Sequence, residues 1–254
     1  MSLPRFVVNA FVAADREVPP ILVETDAGAG ALGAAWLAGV GSRELNTVTA
    51  AVVRTEGVGA GFASGLSIIR RGHHPEIGLI DVPMFEDDVL KHSEDFAGIS
   101  DVGRLACESA MVERAGLLGY EVEAIEDVFA LEDSGLWPMW AKYVARVCLA
   151  IVVVLSPTRI VLTGPLTAGY QCLQAVQKEF ETLGQERSSA PLLQYAALEE
   201  TDFISFARRQ GELDAELAGT VLIALKAGQL RSPVARSADG NVVPMPVNRP
   251  DRRL

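Results

Sequence analysis

Asp26 closes the phrase Glu24-Thr25-Asp26 and opens a glycine-rich stretch, Ala27-Gly28-Ala29-Gly30. Ile21-Leu22-Val23-Glu24-Thr25 reads as a short buried strand, and a carboxylate at its carboxyl end lies where open α/β sheets bind ligands. An ionised aspartate there can take a proton from a hydroxyl group. The same placement suits an aspartate that caps a helix. Glu76, within His74-Pro75-Glu76-Ile77-Gly78, is a second candidate, because a carboxylate accepts several hydrogen bonds at once. Glu76 and His74 read equally as loop residues. The third candidate is Gly57-Val58-Gly59-Ala60-Gly61, whose amides, free of side-chain bulk, can approach phosphate oxygens. Glycines at such spacing also serve turns and close packing.

The elements that must position these residues alternate between strand and helix, which points to an α/β architecture. Residues 5–15 are helix-compatible, and Pro19-Pro20 end whatever precedes them. The small apolar run 27–40 suits a helix packed tightly on the preceding strand, with Gly28, Gly30 and Gly33 tolerated for close approach to a neighbour. Val- and Thr-rich residues 46–55, then 57–69 with a turn near Ser64-Gly65, predict a β-hairpin. The acidic segment 85–102 reads as a surface loop. Helical patterns follow at 104–116, 121–133 and 136–155, the last with Trp140, Val144, Val147 and Ile151 on one face. Ser156-Pro157 stops it. Arg159-Ile160-Val161-Leu162 reads as a buried strand, Gly164-Pro165 as a turn, and 168–184 and 212–228 as helices. Residues 184–200 read as loop with an edge strand, and the proline-rich segment from Ser232 as a loosely ordered tail.

Composition narrows the functional classes. A chain of 254 residues that is 49% hydrophobic buries a substantial core. A formal charge of −11, with no basic cluster larger than Arg70-Arg71 or Arg252-Arg253, argues against nucleic acid and anionic membrane surfaces as partners. Cys107, Cys148 and Cys172 are isolated from one another and from histidines, which fits reduced core cysteines in a cytoplasmic protein. The start of the chain lacks the long apolar region of a signal peptide. The longest apolar run, Val147 to Leu155, is nine residues, well short of the ~20 that span a bilayer.

The order Glu24-Thr25-Asp26, the glycine hairpin, His74 to Gly78 and Phe96-Ala97-Gly98-Ile99 resembles the sugar-binding half of the ROK family of sugar kinases, closest to its fructokinase-like branch. Leu155-Ser156-Pro157-Thr158-Arg159-Ile160-Val161-Leu162 continues the likeness into the strand that leads to that family's adenosine loop. The resemblance covers about residues 5–225. It implies the actin-like ATPase, ribonuclease H-like, sugar kinase fold with an incomplete first lobe. It divides the chain into a remnant of the N-terminal lobe over 1–45, a C-terminal lobe over 46–231 and a tail over 232–254. It further implies Asp26 as the catalytic base, Thr25, His74 and Glu76 as sugar ligands, and Gly57, Gly59 and Gly164 beside the nucleotide. ATP and Mg²⁺ are the implied co-substrate and ion. A first lobe without its opening strands leaves sheet edge and apolar surface uncovered around Ile21 to Val23 and the helix after Asp26, so a homodimer or larger homo-oligomer is expected.

Four departures from that pattern bear on activity. The asparagine expected two residues after Asp26 is Gly28. The middle of the phosphate triplet, Thr55-Glu56-Gly57, carries a negative charge, which repels an anionic phosphate. Thr163-Gly164-Pro165 replaces three glycines, so a proline removes one amide donor. The phosphate-binding Asp-x-Gly-Gly-Thr turn that opens the family's chains has no counterpart. The family's zinc ligands fall on Leu79, Ser100 and positions near Val102 and Leu105, so zinc is not expected. The expected function is therefore a fructokinase-like hexose kinase with impaired turnover; the alternative is a non-catalytic sugar-binding or oligomerising scaffold of the same descent.

Overall fold

The computed structural model describes residues 9–14, 24–37, 48–54, 57–65, 67–69, 75–131, 135–157, 159–163, 170–186, 204–206, 215–229, 235–236 and 242–243. His74, Glu56, Gly164 and Pro165 lie outside these residues, as do the expected strand residues 21–23 and most of the segment 184–200. The chain forms two compact units, Glu24–Thr220 and Met1–Val23 with Val221–Leu254.

In the larger unit, helix α1 (Asp26–Leu37) precedes strands β1 (Val48–Arg54), β2 (Val58–Ser64) and β3 (Ser67–Ile68). Two single 3-10 turns, Ile77–Leu79 and Val89–His92, lead to helices α2 (Val102–Leu105), α3 (Glu108–Leu117), α4 (Ile125–Phe129) and α5 (Leu136–Leu155). Strand β4 (Arg159–Thr163), helix α6 (Tyr170–Glu186), strand β5 (Ile204–Phe206) and the start of helix α7 (Ala215–Gln229), which from Val221 on is counted with the smaller unit, complete the series. The sheet order is β3-β2-β1-β4-β5, with β1-β2 and β2-β3 antiparallel and β1-β4 and β4-β5 parallel. In the smaller unit residues 9–13 are helical, and β6 (Ala235–Arg236) pairs with β7 (Val242–Val243) within the segment read as tail.

Side-chain alternation makes this sheet two-faced. Val58, Ala60 and Phe62 of β2 and Ile160 and Leu162 of β4 enter the main core beneath α5 and α6. The intervening small residues of β2, Gly59, Gly61 and Ala63, face α1, where Ala63 clusters with Ala31 and Ala35. Helix α5 is the centre of the main core: Trp140, Val144 and Val147 are fully buried and Ile151 nearly so, as their spacing predicts. It ends at Ser156, which adopts φ 45° and donates its amide to Val152 O at 3.0 Å. Among the described residues, α5 has the length and composition to cross a bilayer. Its burial against the rest of the chain is that of a central core helix.

Three expectations are corrected. Glu24 and Thr25 belong to no strand, and Asp26 is the first residue of α1 rather than the end of a strand. The helical pattern 104–116 is broken at Ala106 and Cys107, whose backbones leave the helical region, so Cys107 begins a new helix. The pattern 121–133 yields only the short α4, started by Asp127 Oδ2 accepting from the amides of Glu123 (3.0 Å) and Ala124 (3.1 Å). Those two bonds hold the Asp127 carboxyl below the usual carboxylate range.

The loop 85–102 also differs from a plain acidic surface. Asp88 is 1% exposed and Arg114 fully buried. Arg114 donates from Nε to Asp88 Oδ1 at 3.0 Å and from Nη2 to Oδ2 at 2.7 Å and to Leu105 O at 2.8 Å. Tyr143 donates its hydroxyl to Asp88 Oδ2 at 2.7 Å, and Leu90 its amide to Oδ1 at 3.1 Å. Burial alone would raise the Asp88 pKa. The Arg114 hydrogen bonds and charge, the Leu90 amide and the Tyr143 hydroxyl outweigh it and lower the value. Burial, and the bond to Asp88, push the Tyr143 phenol well above its usual range.

Candidate functional site

Thr25, not Asp26, caps α1. Its Oγ1 accepts from the Gly28 amide at 3.0 Å, and its carbonyl accepts from Ala29 at 2.9 Å. Thr25 N–H in turn donates to Glu24 Oε1 at 3.0 Å. This leaves Asp26 exposed in the first turn, where negative charge is complementary to the helix dipole, with Oδ1 accepting from Ala27 N–H at 2.7 Å.

The turn that carries Asp26 lies directly on β2. A Cβ added at Gly61 would stand 1.9 Å from Ala27 O, and one at Gly59 would touch Ala27 Cβ at 3.6 Å. The close approach expected of the glycines in α1 is therefore supplied largely by the glycines beneath it.

Glu76 reaches the same strand from another direction. It precedes the 3-10 turn Ile77–Leu79 and is exposed; its carbonyl accepts from Leu79 N–H at 3.0 Å, while its side chain makes no capping hydrogen bond to that turn. Gly78 is wedged in place: its added Cβ would lie 2.2 Å from Val58 O and 3.4 Å from Gly103 Cα. The segment beyond is pinned by Val102 N–H to Ile80 O at 3.0 Å and Val82 N–H to Ser100 O at 2.7 Å. Val58 and Gly61 are three residues apart, roughly 10 Å along a strand. One strand thus holds the Thr25-Asp26 turn and the Glu76 turn near each other, each by a contact that only glycine permits.

Of the expected nucleotide residues, Gly57 and Gly59 lie at one end of β2. Val53 pairs with Gly59 on one side and with Thr163 on the other, which places the three in one row on the α1 face. Gly57, just before β2, has among the described residues only Gly103 O, at 4.0 Å, near its added Cβ. Arg54 pairs with Val58 at the end of the β1-β2 ladder. The Thr163 hydroxyl in this row is buried without a hydrogen-bond partner among the described residues, a cost of about 1–3 kcal/mol. Nothing in the sequence marks that residue apart from its place before Gly164.

No group of three or more His, Cys, Asp or Glu able to hold a metal is present among the described residues. Leu79 is exposed, whereas Val102 and Leu105 are fully buried in the core. Cys107 is buried, donates from Sγ to Arg104 O at 3.2 Å and lies 3.0 Å from Ser109 Oγ.

Comparison with known proteins places this geometry. The family model described as "ROK family" matches residues 12–205. A fructokinase from Pediococcus pentosaceus is 27% identical over 124 residues, 49% of this chain and 40% of that protein. A ROK family glucokinase from Streptomyces griseus, solved with glucose and AMPPNP, superposes with a TM-score of 0.57 at 18% identity over 87% of this chain and 72% of its own. A ROK family transcriptional regulator, a homolog of the E. coli MLC protein, gives 0.60 at 17% identity over 87% and 56%. These solved structures share the fold, the actin-like ATPase fold of the ROK sugar kinases, while the chain spans well under half the length of the curated fructokinase.

Proposed function

The chain belongs to the ROK family, and on that premise we propose that its larger unit carries a hexose site of the fructokinase-like type, with impaired phosphoryl transfer. Asp26 accepts the proton of the sugar hydroxyl that attacks the γ-phosphate, and Thr25, His74 and Glu76 hold the sugar. Gly57, Gly59 and Gly164 border the phosphates of ATP, which arrives as its Mg²⁺ complex with the ion neutralising phosphate charge. The observation that carries the reading is the shared seat of the Asp26 and Glu76 turns on β2, through Gly61 and Gly78. Two relatives, a fructokinase and a glucokinase solved with glucose and AMPPNP, support the substrate class.

Impairment follows from Glu56 in the phosphate hairpin and Pro165 in place of a glycine. A carboxylate beside phosphate oxygens acts against the charge stabilisation on which phosphoryl transfer depends. Those two residues also favour a second reading, a sugar-binding scaffold without catalysis. We place the protein in the cytoplasm as a homo-oligomer, without nucleic acid as a partner given its charge of −11.

Calorimetric titration with fructose, glucose and mannose tests the site. Binding by the unaltered protein that weakens at least tenfold in Glu76→Gln supports it; no binding of any of the three overturns it. A coupled assay with Mg²⁺ and ATP then separates the two readings. Slow turnover that vanishes in Asp26→Asn marks an impaired kinase, and its absence from a sugar-binding protein marks the scaffold.

A further inference from the structure

The first turn of α1 is gripped by backbone from two directions. Gly61 of β2 faces Ala27 O, where an added Cβ would stand at 1.9 Å, with Gly28 N at 2.6 Å. Gly219, in the first half of α7, faces Ala29 O, where an added Cβ would stand at 1.8 Å, with Ala29 Cα at 3.0 Å. Ala27 and Ala29 are 3% and 5% exposed. Residues two apart in a helix are separated by about 200° around its axis, so the strand and the helix close on the turn from opposed sides. Asp26 is bonded to this turn through Oδ1 and the Ala27 amide.

We propose that Gly61 and Gly219 are positioning residues for Asp26: by admitting backbone where every other residue places a Cβ, they set where the carboxylate stands over β2. This rests on the sugar-site reading above and adds two residues that never touch substrate. A methyl group needs roughly 3.5 Å from such an oxygen, so either alanine drives the turn back by about 1.5 Å. Displacements near 1 Å are large against catalytic geometry. Both obstructing atoms are main-chain carbonyl oxygens, which no rotamer change can move aside.

A double-mutant cycle on the full chain tests the proposal, with fructose as the probe and calorimetry as the readout. Gly219→Ala is expected to weaken fructose binding about tenfold in the parent and less than twofold in an Asp26→Asn background. Gly116→Ala, at a helical glycine with nothing within 4 Å of its added Cβ, is expected to leave binding unchanged. Equal losses in both backgrounds, or no loss from Gly219→Ala or Gly61→Ala, overturn the positioning role and leave the sugar site standing. A parent protein that binds none of fructose, glucose and mannose overturns both. Amide hydrogen exchange on the unaltered protein decides the matter even where the alanine variants do not fold. The grip requires the Ala29 amide to be protected at least a hundredfold over the free peptide rate, and exchange at the rate of a frayed helix start refutes it.

Discussion

Replacing Arg114 with methionine should reverse the sign of the protein's pH response. Methionine has a similar apolar reach, so the packing loss is small. What remains is the Asp88 carboxylate, 1% exposed, with the Leu90 amide and the Tyr143 hydroxyl but no cation. Removing one partner of a buried pair costs about 3–5 kcal/mol, and the two surviving hydrogen bonds favour the lower part of that range. Near pH 7 a loss of about 3 kcal/mol lowers the melting temperature by roughly 6–12 °C for a chain of this size. In the parent, the Asp88 pKa is depressed on folding, so its contribution is present above the unfolded value and lost as pH falls through the folded one. In Arg114→Met, burial dominates and the folded pKa rises above the unfolded value. Stability then grows as pH is lowered from the raised folded value toward about 4. Urea unfolding at pH 7, pH 5 and pH 3 reads both slopes, the variant's above about pH 4 and the parent's below it. The double variant Arg114→Met/Asp88→Asn should recover most of the loss at pH 7. A cost below about 1 kcal/mol, or a variant whose pH slope matches the parent's, would refute the account of this cluster.

Further outcomes follow from the site and the surface. Elemental analysis of dialysed protein should find no stoichiometric zinc, because Leu79, Ser100, Val102 and Leu105 occupy the matching positions; about one zinc per chain would refute this. Light scattering at micromolar concentration should show a dimer or larger, in keeping with the adjacent exposed Val153, Val154 and Leu155 at the end of α5, and a monomer would count against it. Phosphorylation of fructose, glucose or mannose by ATP should be very slow, and vigorous turnover abolished by Asp26→Asn would restore an ordinary kinase. Ser156→Gly should stabilise the protein by about 1 kcal/mol in thermal or urea unfolding, since φ 45° is unfavourable for serine and free for glycine; a neutral or destabilising result would show that the side chain compensates.

The elements legible in the sequence are those whose signal is local. Trp140, Val144, Val147 and Ile151 recur at helical spacing, and α5 buries that face. The β1-β2 hairpin and β4 follow from Val-rich alternation between turn residues, and Gly65 at φ 52° follows β2 near the expected turn. The break at Ala106-Cys107 has no such signal, because nothing in the order Arg104 to Glu108 forbids helix. Asp88 was illegible for a related reason. It sits in Glu86-Asp87-Asp88 beside Asp87, which is exposed and pairs with Lys142, and only the return of Arg114 twenty-six positions later tells the two apart.

The site divides along the same line. Resemblance brought out Thr25, Asp26 and Glu76, but it assigned their phrases as ligands without saying what holds them. The structure makes Thr25 a helix cap through the Gly28 amide, so a change there alters the start of α1 as well as any sugar contact. Gly78, read as part of a ligand phrase, is excluded from larger side chains by Val58 O. Gly61 stood out only as one glycine of a phosphate-like hairpin, and Gly219 not at all, because a glycine's reason for being glycine lies in the atom opposite it. For Gly219 that atom belongs to a residue 190 positions earlier, Ala29. Side chains that meet substrate therefore announce themselves by type, whereas the residues that aim them are set by backbone distances that only the folded chain possesses.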